Sequence, residues 1–418
     1  MGDVGASAGA AGHAAEAAAR RSYGKLVAFL AARTRDVAAA EDALSAAFES
    51  ALRDWPVSGV PASPEAWLLT AARRSMIDAA RRRRTHDTAA PDLLLFAELA
   101  TDEAEQRAIP DDRLLLMFAC AHPAIDRSVR APLMLQTILG FDAASIASAF
   151  LVAPAAMGQR LVRAKAKIKQ AGIPFRLPDA DDLPERLDSV LEAIYASFTE
   201  GWSDGAGTDA RRRNLAEEGI WLGRLVAALL PMEPEALGLL ALMLHAQARR
   251  AARRDVNGDY VPLAEQDPQA WDHALIDEAE ALLRHASTLG SIGRYQLEAA
   301  VQSAHVIRRL TGRTDWAAIV QLYDALAALT GSPVVALNRS IAIAELRGAA
   351  AGLAALDVLA DEPRFVDYQP YWAARAGLLE RTGRVTAADD AYRRAIGLEA
   401  DPAVRRFLQQ RRERLPAS

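Results

Sequence analysis

Cysteine, aromatic residues and long apolar runs are all scarce in this chain, and each scarcity excludes a class of protein. The one cysteine among 418 residues, Cys120, cannot form an internal disulfide, which fits a reducing cytoplasm. Aromatic residues make up 6% of the chain, and no apolar run reaches the length that spans a bilayer. The N-terminus also lacks the basic start and hydrophobic block of a secretory signal. We therefore expect a cytoplasmic protein without a membrane span.

The residues that are abundant favour helices. Alanine is frequent, β-branched runs are few, and apolar positions recur at helical spacing almost everywhere. The chain is 51% hydrophobic and 25% charged, which is the composition of globular domains and not of a disordered chain. A length of 418 residues exceeds one ordinary hydrophobic core. The sequence predicts an all-α fold with two or three domains.

The N-terminal part of the chain predicts a small helical domain at residues 21–84. Residues 1–20, rich in alanine and glycine, are predicted to form a flexible tail. The proline-rich stretch from Pro56 to Pro64 must be a loop. Three amphipathic helices are expected around it, at Ser22–Arg33, Val37–Trp55 and Glu65–Arg84.

The third predicted helix ends in a concentration of arginines. It carries Arg73 and Arg74 in its middle and the run Arg81–Arg84 at its end. Cations at a helix C-terminus favour the helix dipole, which explains the run without any function. The functional alternative is a clamp on the DNA backbone beside a loop that receives an unstacked base.

A helix-turn-helix is the strongest local pattern of the chain. Asp142 can cap a short helix, and Pro154 suits the first position of a longer one. In that longer helix one stripe is apolar, formed by Met157, Leu161, Ala164 and Ile168. Arg160, Arg163 and Lys167 fall on a different face, where they could neutralise phosphates in a DNA major groove. The alternative is a surface helix with a solvated charged face.

Charge separates these two basic segments. Residues 85–112 carry eight acidic side chains against the single Arg107, whereas residues 113–177 are basic. A solvated linker explains the acidic stretch from composition alone. A function as a mimic of nucleic acid is the other interpretation.

Two stretches resemble a known family. AEDALSAAFESALRDWP (40–56) with PEAWLLTAARRSMIDAARRRR (64–84) is similar to the second conserved region of bacterial extracytoplasmic-function (ECF) sigma factors. The stretch 131–175, which contains the helix-turn-helix, resembles their fourth region. The resemblance implies that the chain recruits core RNA polymerase to promoter DNA and helps to melt it. The acidic linker would then lie in a basic channel of the polymerase.

The resemblance also assigns residues. Glu41, Asp42 and Phe48 match the helix that docks on the polymerase clamp, and the −35 element would meet Gln159, Arg160, Arg163, Lys165 and Lys167, with the Gln159 amide a candidate base reader. The melted −10 element would meet Trp67, Arg73, Arg74, Arg81 and Arg82. The chain departs from the family at Ser45-Ala46, where many members have Gln-Glu, and at Arg74, where many have Asn.

The acidic C-terminal part, residues 178–418, predicts further helices with a repeat. Gly348 and Gly383 occupy matching positions thirty-five residues apart, a spacing typical of tetratricopeptide (TPR) units that is clearest over residues 314–400. Stacked helix pairs of this kind bind peptides or proteins, so a partner at the repeats is expected. This part resembles the extension of one large subgroup of ECF sigma factors. A plain irregular helical domain is the alternative.

No group of residues predicts chemistry by the chain itself. Cys120 and His122 are close in sequence, but Cys120 sits in an apolar helix and reads as a core residue. The seven histidines show no metal-ligand spacing. We therefore expect no catalytic residues, no cofactor and no metal, and not an enzyme. The alternative function is a helix-turn-helix regulator with a TPR-like domain that acts without core polymerase.

Overall fold

The described part of the chain is built from helices. The structure, a computed structural model, describes residues 3–84, 111–150, 152–179, 181–202 and 210–416. Within these ranges the only strand-like pairing is one isolated β-bridge between Arg254 and Tyr260. The predicted all-α fold is therefore confirmed. The chain divides into two compact units, residues 1–200 and 201–418.

Eight of the described helices belong mainly to the N-terminal unit. They are α1 (Asp3–Thr34), α2 (Val37–Ser58), α3 (Pro64–Arg84), α4 (Arg113–Cys120), α5 (Arg127–Leu139), α6 (Ala143–Ala149), α7 (Pro154–Gln170) and α8 (Leu183–Trp202). The long helices α1, α2 and α3 pack against each other, and α1 also packs against α4 and α5. The two segments that the sequence separates are thus joined in one packed unit.

The predicted flexible tail is wrong for residues 3–20. Helix α1 begins at Asp3 and includes this stretch. Alanine has the highest intrinsic helix propensity, so the composition that suggested a tail also favours a helix. Packing adds to it, because Ala15 and Ala18 are buried.

Helix α2 begins where the sequence predicts and ends three residues later. Asp36 caps it by accepting from the backbone N–H of Ala39 at 3.0 Å. Pro56, expected to start the loop, lies within the last turn. The helix ends at Gly59, whose φ of +84° suits glycine and whose N–H donates to the carbonyl of Trp55.

The segment predicted to be a helix-turn-helix contains two consecutive helices, α6 and α7. The carboxylate of Asp142 accepts from the N–H groups of Ala144 and Ser145 at the start of α6, and Pro154 is the first residue of α7. The side chains that α7 buries are the predicted stripe of Met157, Leu161, Ala164 and Ile168. The opposite side of α7 is left for charged residues.

The boundary between the units lies later than the sequence suggests. We expected a new domain from residue 178, but α8 packs on the N-terminal unit. Arg186 donates to the carbonyl oxygen of Phe118 at 2.7 Å, and Arg130 of α5 donates to the Ser189 hydroxyl at 3.2 Å. The N-terminal unit therefore extends to Glu200.

The C-terminal unit contains eleven further described helices. They are α9 (Ala210–Leu229), α10 (Pro234–Ala248), α11 (His273–Ser287), α12 (Arg294–Val306), α13 (Arg308–Thr311), α14 (Trp316–Thr330), α15 (Pro333–Arg347), α16 (Ala349–Asp357), α17 (Gln369–Arg381), α18 (Val385–Leu398) and α19 (Pro402–Glu413). Helix α10 is buried along nearly its whole length and packs against α9, α11 and α12. Its Glu235 accepts from the N–H groups of Tyr295 and Gln296, which stabilises the start of α12.

The segment with the predicted repeat forms consecutive helix pairs. Gly348 joins α15 to α16 and Gly383 joins α17 to α18, with φ values of +94° and +73°. These left-handed conformations explain why glycine recurs at both places. Leu337, Leu356, Tyr371 and Tyr392 belong to one core that these pairs share. The pairing is compatible with the TPR-like prediction.

Candidate polymerase and promoter-binding surfaces

Helix α7 presents an exposed cationic face. Gln159, Arg160, Arg163 and Lys167 are all exposed. None of the three cations forms an ion pair with a residue in the described ranges, although Arg163 Nε donates to the carbonyl of Gln159 at 3.3 Å. Cations that no carboxylate neutralises remain available for phosphate groups. We call these four residues the α7 face.

A groove of about 430 Å³ adjoins the α7 face. Arg160, Arg163 and Lys167 line one side of it, and residues at the start of α5 line the other. The acidic residue there, Asp126, caps α5 by accepting from the Ser128 N–H at 2.8 Å. Hydrogen bonds from Ser128 hold the pKa of Asp126 below its usual range. The groove is therefore predominantly cationic where α7 lines it.

Lys165 does not belong to the α7 face, which corrects one predicted DNA contact. Its Nζ atom lies 2.6 Å from Oε2 of Glu41 on α2, and the two side chains are 12% and 11% exposed. Lys165 is offset from Arg163 by two residues, so a helix points it in a different direction. In this structure Lys165 binds another helix and cannot contact DNA.

Glu41 is correspondingly unavailable to a polymerase. Burial raises the pKa of its carboxyl group, and the attraction of Lys165 opposes that rise. Its second oxygen, Oε1, is buried and has no hydrogen-bond partner in the described part of the chain. Of the other two predicted polymerase contacts on α2, Asp42 is exposed and Phe48 is half-buried. Asp42 is the one that a partner can reach directly.

Two neighbouring arginines of α3, Arg73 and Arg74, differ in their exposure to solvent. Arg73 is 4% exposed, and its guanidinium lies 5.3 Å from the ring centroid of Phe29. This burial corrects the prediction that Arg73 contacts DNA. Arg74, one residue on, is exposed. The α3 surface thus offers Arg74 where the sequence suggested a pair.

Trp67 and Arg74 line a groove between α2 and α3 of about 750 Å³. Trp67 is half-buried, and its ring meets that of the fully buried Trp55 edge to face, with centroids 5.5 Å apart. The groove also has polar and acidic lining, from Ser50, Asp54, Thr70 and Asp78. Its partly exposed indole is suited to stack on a flat partner group.

Two predicted DNA contacts and the acidic linker lie outside the described residues. The side chains of Arg81 and Arg82 lie outside the described part of the structure, as does the acidic linker over residues 85–110. Asp111 and Asp112 are described, and Asp112 pairs with Arg33 of α1 at 3.2 Å.

Several residues that the sequence did not predict as functional join the two segments. Lys169 of α7 pairs with Asp36 at 2.6 Å, and Gly24 of α1 packs against the backbone of Ile138 on α5. The ring of Tyr23 lies against Gly140, at the end of α5. A glycine in the middle of an amphipathic helix was the only signal of this close approach.

Cys120 and His122 do not form a catalytic pair. The Cys120 thiol is fully buried beside the Thr137 hydroxyl at 3.6 Å, and burial raises its pKa to about 12. His122 is turned to the backbone, where its Nδ1 accepts from the N–H of Ala124. Cys120 is a core residue, as predicted.

The described ranges contain neither a metal-binding cluster nor a membrane-spanning helix. No three histidine, cysteine or acidic side chains there come together in a way that could hold a metal ion. No helix in the same ranges has the length and apolar character needed to cross a bilayer.

Comparison with known proteins identifies two segments and one relative. The sigma-70 region 2 family matches residues 19–86, which include the second half of α1 and all of α2 and α3. A family of unknown function, DUF6596, matches residues 186–287. An uncharacterised protein of Rhizobium meliloti (strain 1021), R00370, is 39% identical over 389 residues, which are 92% of this chain and 91% of that protein. No solved structure matches significantly.

The residues that match sigma-70 region 2 include those that line the groove between α2 and α3, and they also include the exposed Asp42. The similarity to the Rhizobium protein extends over both units, so the relationship is not confined to one module. The chain therefore belongs to the same family as this Rhizobium protein, and its N-terminal unit carries a sigma-70 region 2 domain.

Proposed function

We propose that the protein is an ECF-type sigma factor that directs core RNA polymerase to specific promoters and helps to melt them. It supplies recognition and strand separation, and the polymerase supplies the chemistry. It would act in the cytoplasm, where the polymerase and the promoters are. The observation that supports the proposal is that one unit contains both a sigma-70 region 2 match and the α6–α7 segment, whose exposed Arg160, Arg163 and Lys167 form no ion pair within the described ranges.

In this proposal the α2 residues that dock on the polymerase are the exposed Asp42 and the half-buried Phe48. Asp42 is exposed and lies within the matched region. On the adjacent α3, Trp67 and Arg74 meet the melted −10 element. Stacking on a half-buried indole and attraction to a guanidinium are the interactions that single-stranded DNA requires.

The α7 face would read the −35 element. Arg160, Arg163 and Lys167 neutralise phosphates, and the amide of Gln159 can both donate to and accept from a base edge. The C-terminal unit would be a TPR-like extension that binds a peptide or protein partner, for which the helix pairs around Gly348 and Gly383 give support.

The direct test is binding and initiation with purified components. We expect the full-length protein to bind core polymerase and to direct transcription from a subset of promoters in genomic DNA. The charge-reversing variant Asp42→Arg should weaken polymerase binding at least tenfold. Glu265→Arg, the same charge change at an exposed site of the C-terminal unit, is the matched control and should have no effect.

The same assay separates the competing function. Duplex binding by the purified protein without any association with core polymerase would contradict the proposal and favour a helix-turn-helix regulator that acts alone.

A further inference from the structure

We propose that the C-terminal unit contains a binding site for a small carboxylic acid with an apolar body. The site is a pocket of about 320 Å³ lined by residues of α12, α14 and α15, and we call it the α14 pocket. It lies wholly within residues 201–418 and includes none of the residues assigned above to polymerase or DNA. The inference therefore goes beyond the proposed function and does not depend on it.

Apolar side chains form a large part of the α14 pocket. Trp316 and Ile319 of α14 line it, together with Ile341 and Ala342 of α15. The Trp316 ring also meets the ring of His305 edge to face, with centroids 5.5 Å apart, and this contact orients both rings. At the roughly 30 Å³ that one water molecule occupies, the pocket holds about ten non-hydrogen atoms. That is the size of a small organic molecule.

Three polar side chains in the α14 pocket are available to bind a ligand. His305, Tyr323 and Asn338 line it, and none of these side chains forms a hydrogen bond with a described residue. Burial raises the pKa of the Tyr323 hydroxyl to about 12. Burial, together with the charges of Arg249 and Arg308, lowers the pKa of His305 to about 4. Both groups are therefore neutral near pH 7, and with the Asn338 amide they can donate to a ligand oxygen.

A buried cation without a counter-charge lies beside these polar groups. Arg249 is 9% exposed, and its Nη1 atom is buried without a hydrogen-bond partner in the described part of the chain. Its Nη2 atom donates to Gln302, one helical turn before His305, so the guanidinium is on the same side of α12 as the pocket. No carboxylate in the described ranges pairs with it. Because burying an unpaired charge is unfavourable, an anion bound nearby would stabilise the unit.

Arg308 adds a second cation and shapes the wall of the pocket. Its Nη atoms donate to three backbone carbonyls of residues 263–266 at 2.7 to 3.1 Å, which holds that loop in place. Its Nε atom is buried and has no hydrogen-bond partner among the described residues. Glu345, an acidic residue that also lines the pocket, is exposed and is paired with Arg381. The local charge is therefore positive, which favours a carboxylate over a neutral or cationic group.

Isothermal titration calorimetry with the full-length protein tests the site. Phenylacetate and isocaproate are the probes, since each joins a carboxylate to an apolar body, aromatic in one and aliphatic in the other. We expect at least one of them to bind a single site with a Kd below about 1 mM. The matching neutral amide, phenylacetamide or isocaproamide, should bind about tenfold more weakly. Acetate, which lacks the apolar body, should not bind detectably at the same concentrations.

Two variants assign the binding to the α14 pocket. Tyr323→Phe removes one hydroxyl and should weaken acid binding about fivefold. Tyr368→Phe, the same change at a half-buried tyrosine outside the pocket, is the matched control and should leave the affinity unchanged. Arg249→Met should reduce the preference for the acid over its amide from about tenfold to below about threefold. Thermal unfolding checks that each variant is folded, and Tyr323→Phe keeps the test decisive if Arg249→Met is not.

Three outcomes would overturn the assignment: no binding of either acid, equal affinity for an acid and its amide, or equal effects of Tyr323→Phe and Tyr368→Phe. A short peptide that ends in phenylalanine also presents a carboxylate beside an aromatic ring. If this peptide bound and both free acids did not, the occupant would be a chain terminus and the proposal would be wrong. None of these measurements contains polymerase, so failure of the proposed function gives a separate result.

Discussion

His245 is a neutral base at the centre of the C-terminal unit. It is fully buried, and both ring nitrogens are without a hydrogen bond in the described part of the chain. Burial, reinforced by Arg249 and Arg309, lowers its pKa to about 3. Glu280 Oε1 lies 3.4 Å from Nε2 but makes no hydrogen bond to it, so burial dominates. The folded protein therefore resists protonation of His245, whereas the unfolded chain protonates it near its ordinary pKa.

We expect this histidine to make stability fall as the solution is acidified. Because the folded-state pKa is lowered, the unfolded state binds the proton first as pH falls. The contribution of His245 to the free energy of unfolding is therefore complete above pH 6.5 and is lost as pH falls from there toward 3. The loss should approach about 1.4 kcal/mol per pH unit. Urea unfolding of wild type and His245→Leu between pH 7 and 5 measures it. Equal pH slopes in the two proteins would contradict the assignment.

Cys120 gives a second prediction at this scale. Since burial raises its pKa to about 12 from an ordinary 9, the reactive thiolate should be rarer by on the order of a thousandfold. We expect iodoacetamide at pH 8 to label the folded protein far more slowly than the protein in urea, as followed by mass spectrometry. Rapid labelling of the native protein would show that the α4 core opens readily.

Helices α1 and α7 contain Gly24 and Gly158, and the surroundings of these two glycines differ. Gly24 has the carbonyl of Ile138 where a Cβ atom would be, whereas Gly158 has open space there. We expect Gly24→Ala to destabilise the N-terminal unit by about 1–3 kcal/mol through overpacking. Gly158→Ala should stabilise α7 by about 0.5–1 kcal/mol, because alanine restricts the unfolded chain. Thermal unfolding measures both, and changes of the same sign would contradict the helix crossing.

The helices themselves were largely predictable from the sequence, and their ends were less so. The cap at Asp142 and the apolar stripe of α7 follow from local spacing, and both form. The glycines in residues 3–20 suggested a flexible tail. This stretch is helical, and the burial of Ala15 and Ala18 stabilises the helix. Pro56 marked the loop too early because the last turn of a helix can still hold a proline.

At the scale of the whole molecule, the sequence could not predict what distant residues do together. The partners Glu41 and Lys165 are 124 positions apart, and each carried a separate predicted role on its own helix. Only their contact shows that the two roles exclude each other in this structure. Arg73 is a similar case, because helical spacing alone did not indicate which of two neighbouring arginines packs on Phe29.

The predicted phosphate contacts of the α7 face can be counted. Arg160→Ala/Arg163→Ala should weaken binding of the protein–polymerase complex to promoter DNA. It should also reduce the slope of log affinity against log salt concentration by about 2, since each phosphate contact contributes close to one unit. Arg284→Ala/Arg313→Ala, at exposed sites of the C-terminal unit, removes the same charge and is the control. An equal loss of affinity in both double variants would show that only the overall charge matters, and would contradict direct phosphate contacts by the α7 face.

The most direct test of the account is start-site selection by purified components. Core polymerase alone and core polymerase with the full-length protein would transcribe the same supercoiled genomic fragments, and the 5′ ends of the transcripts would be sequenced. We predict that the protein creates a new set of start sites that share upstream sequence at two separated positions. An unchanged set of 5′ ends, in the presence of folded protein, would contradict the assignment of this chain to promoter recognition.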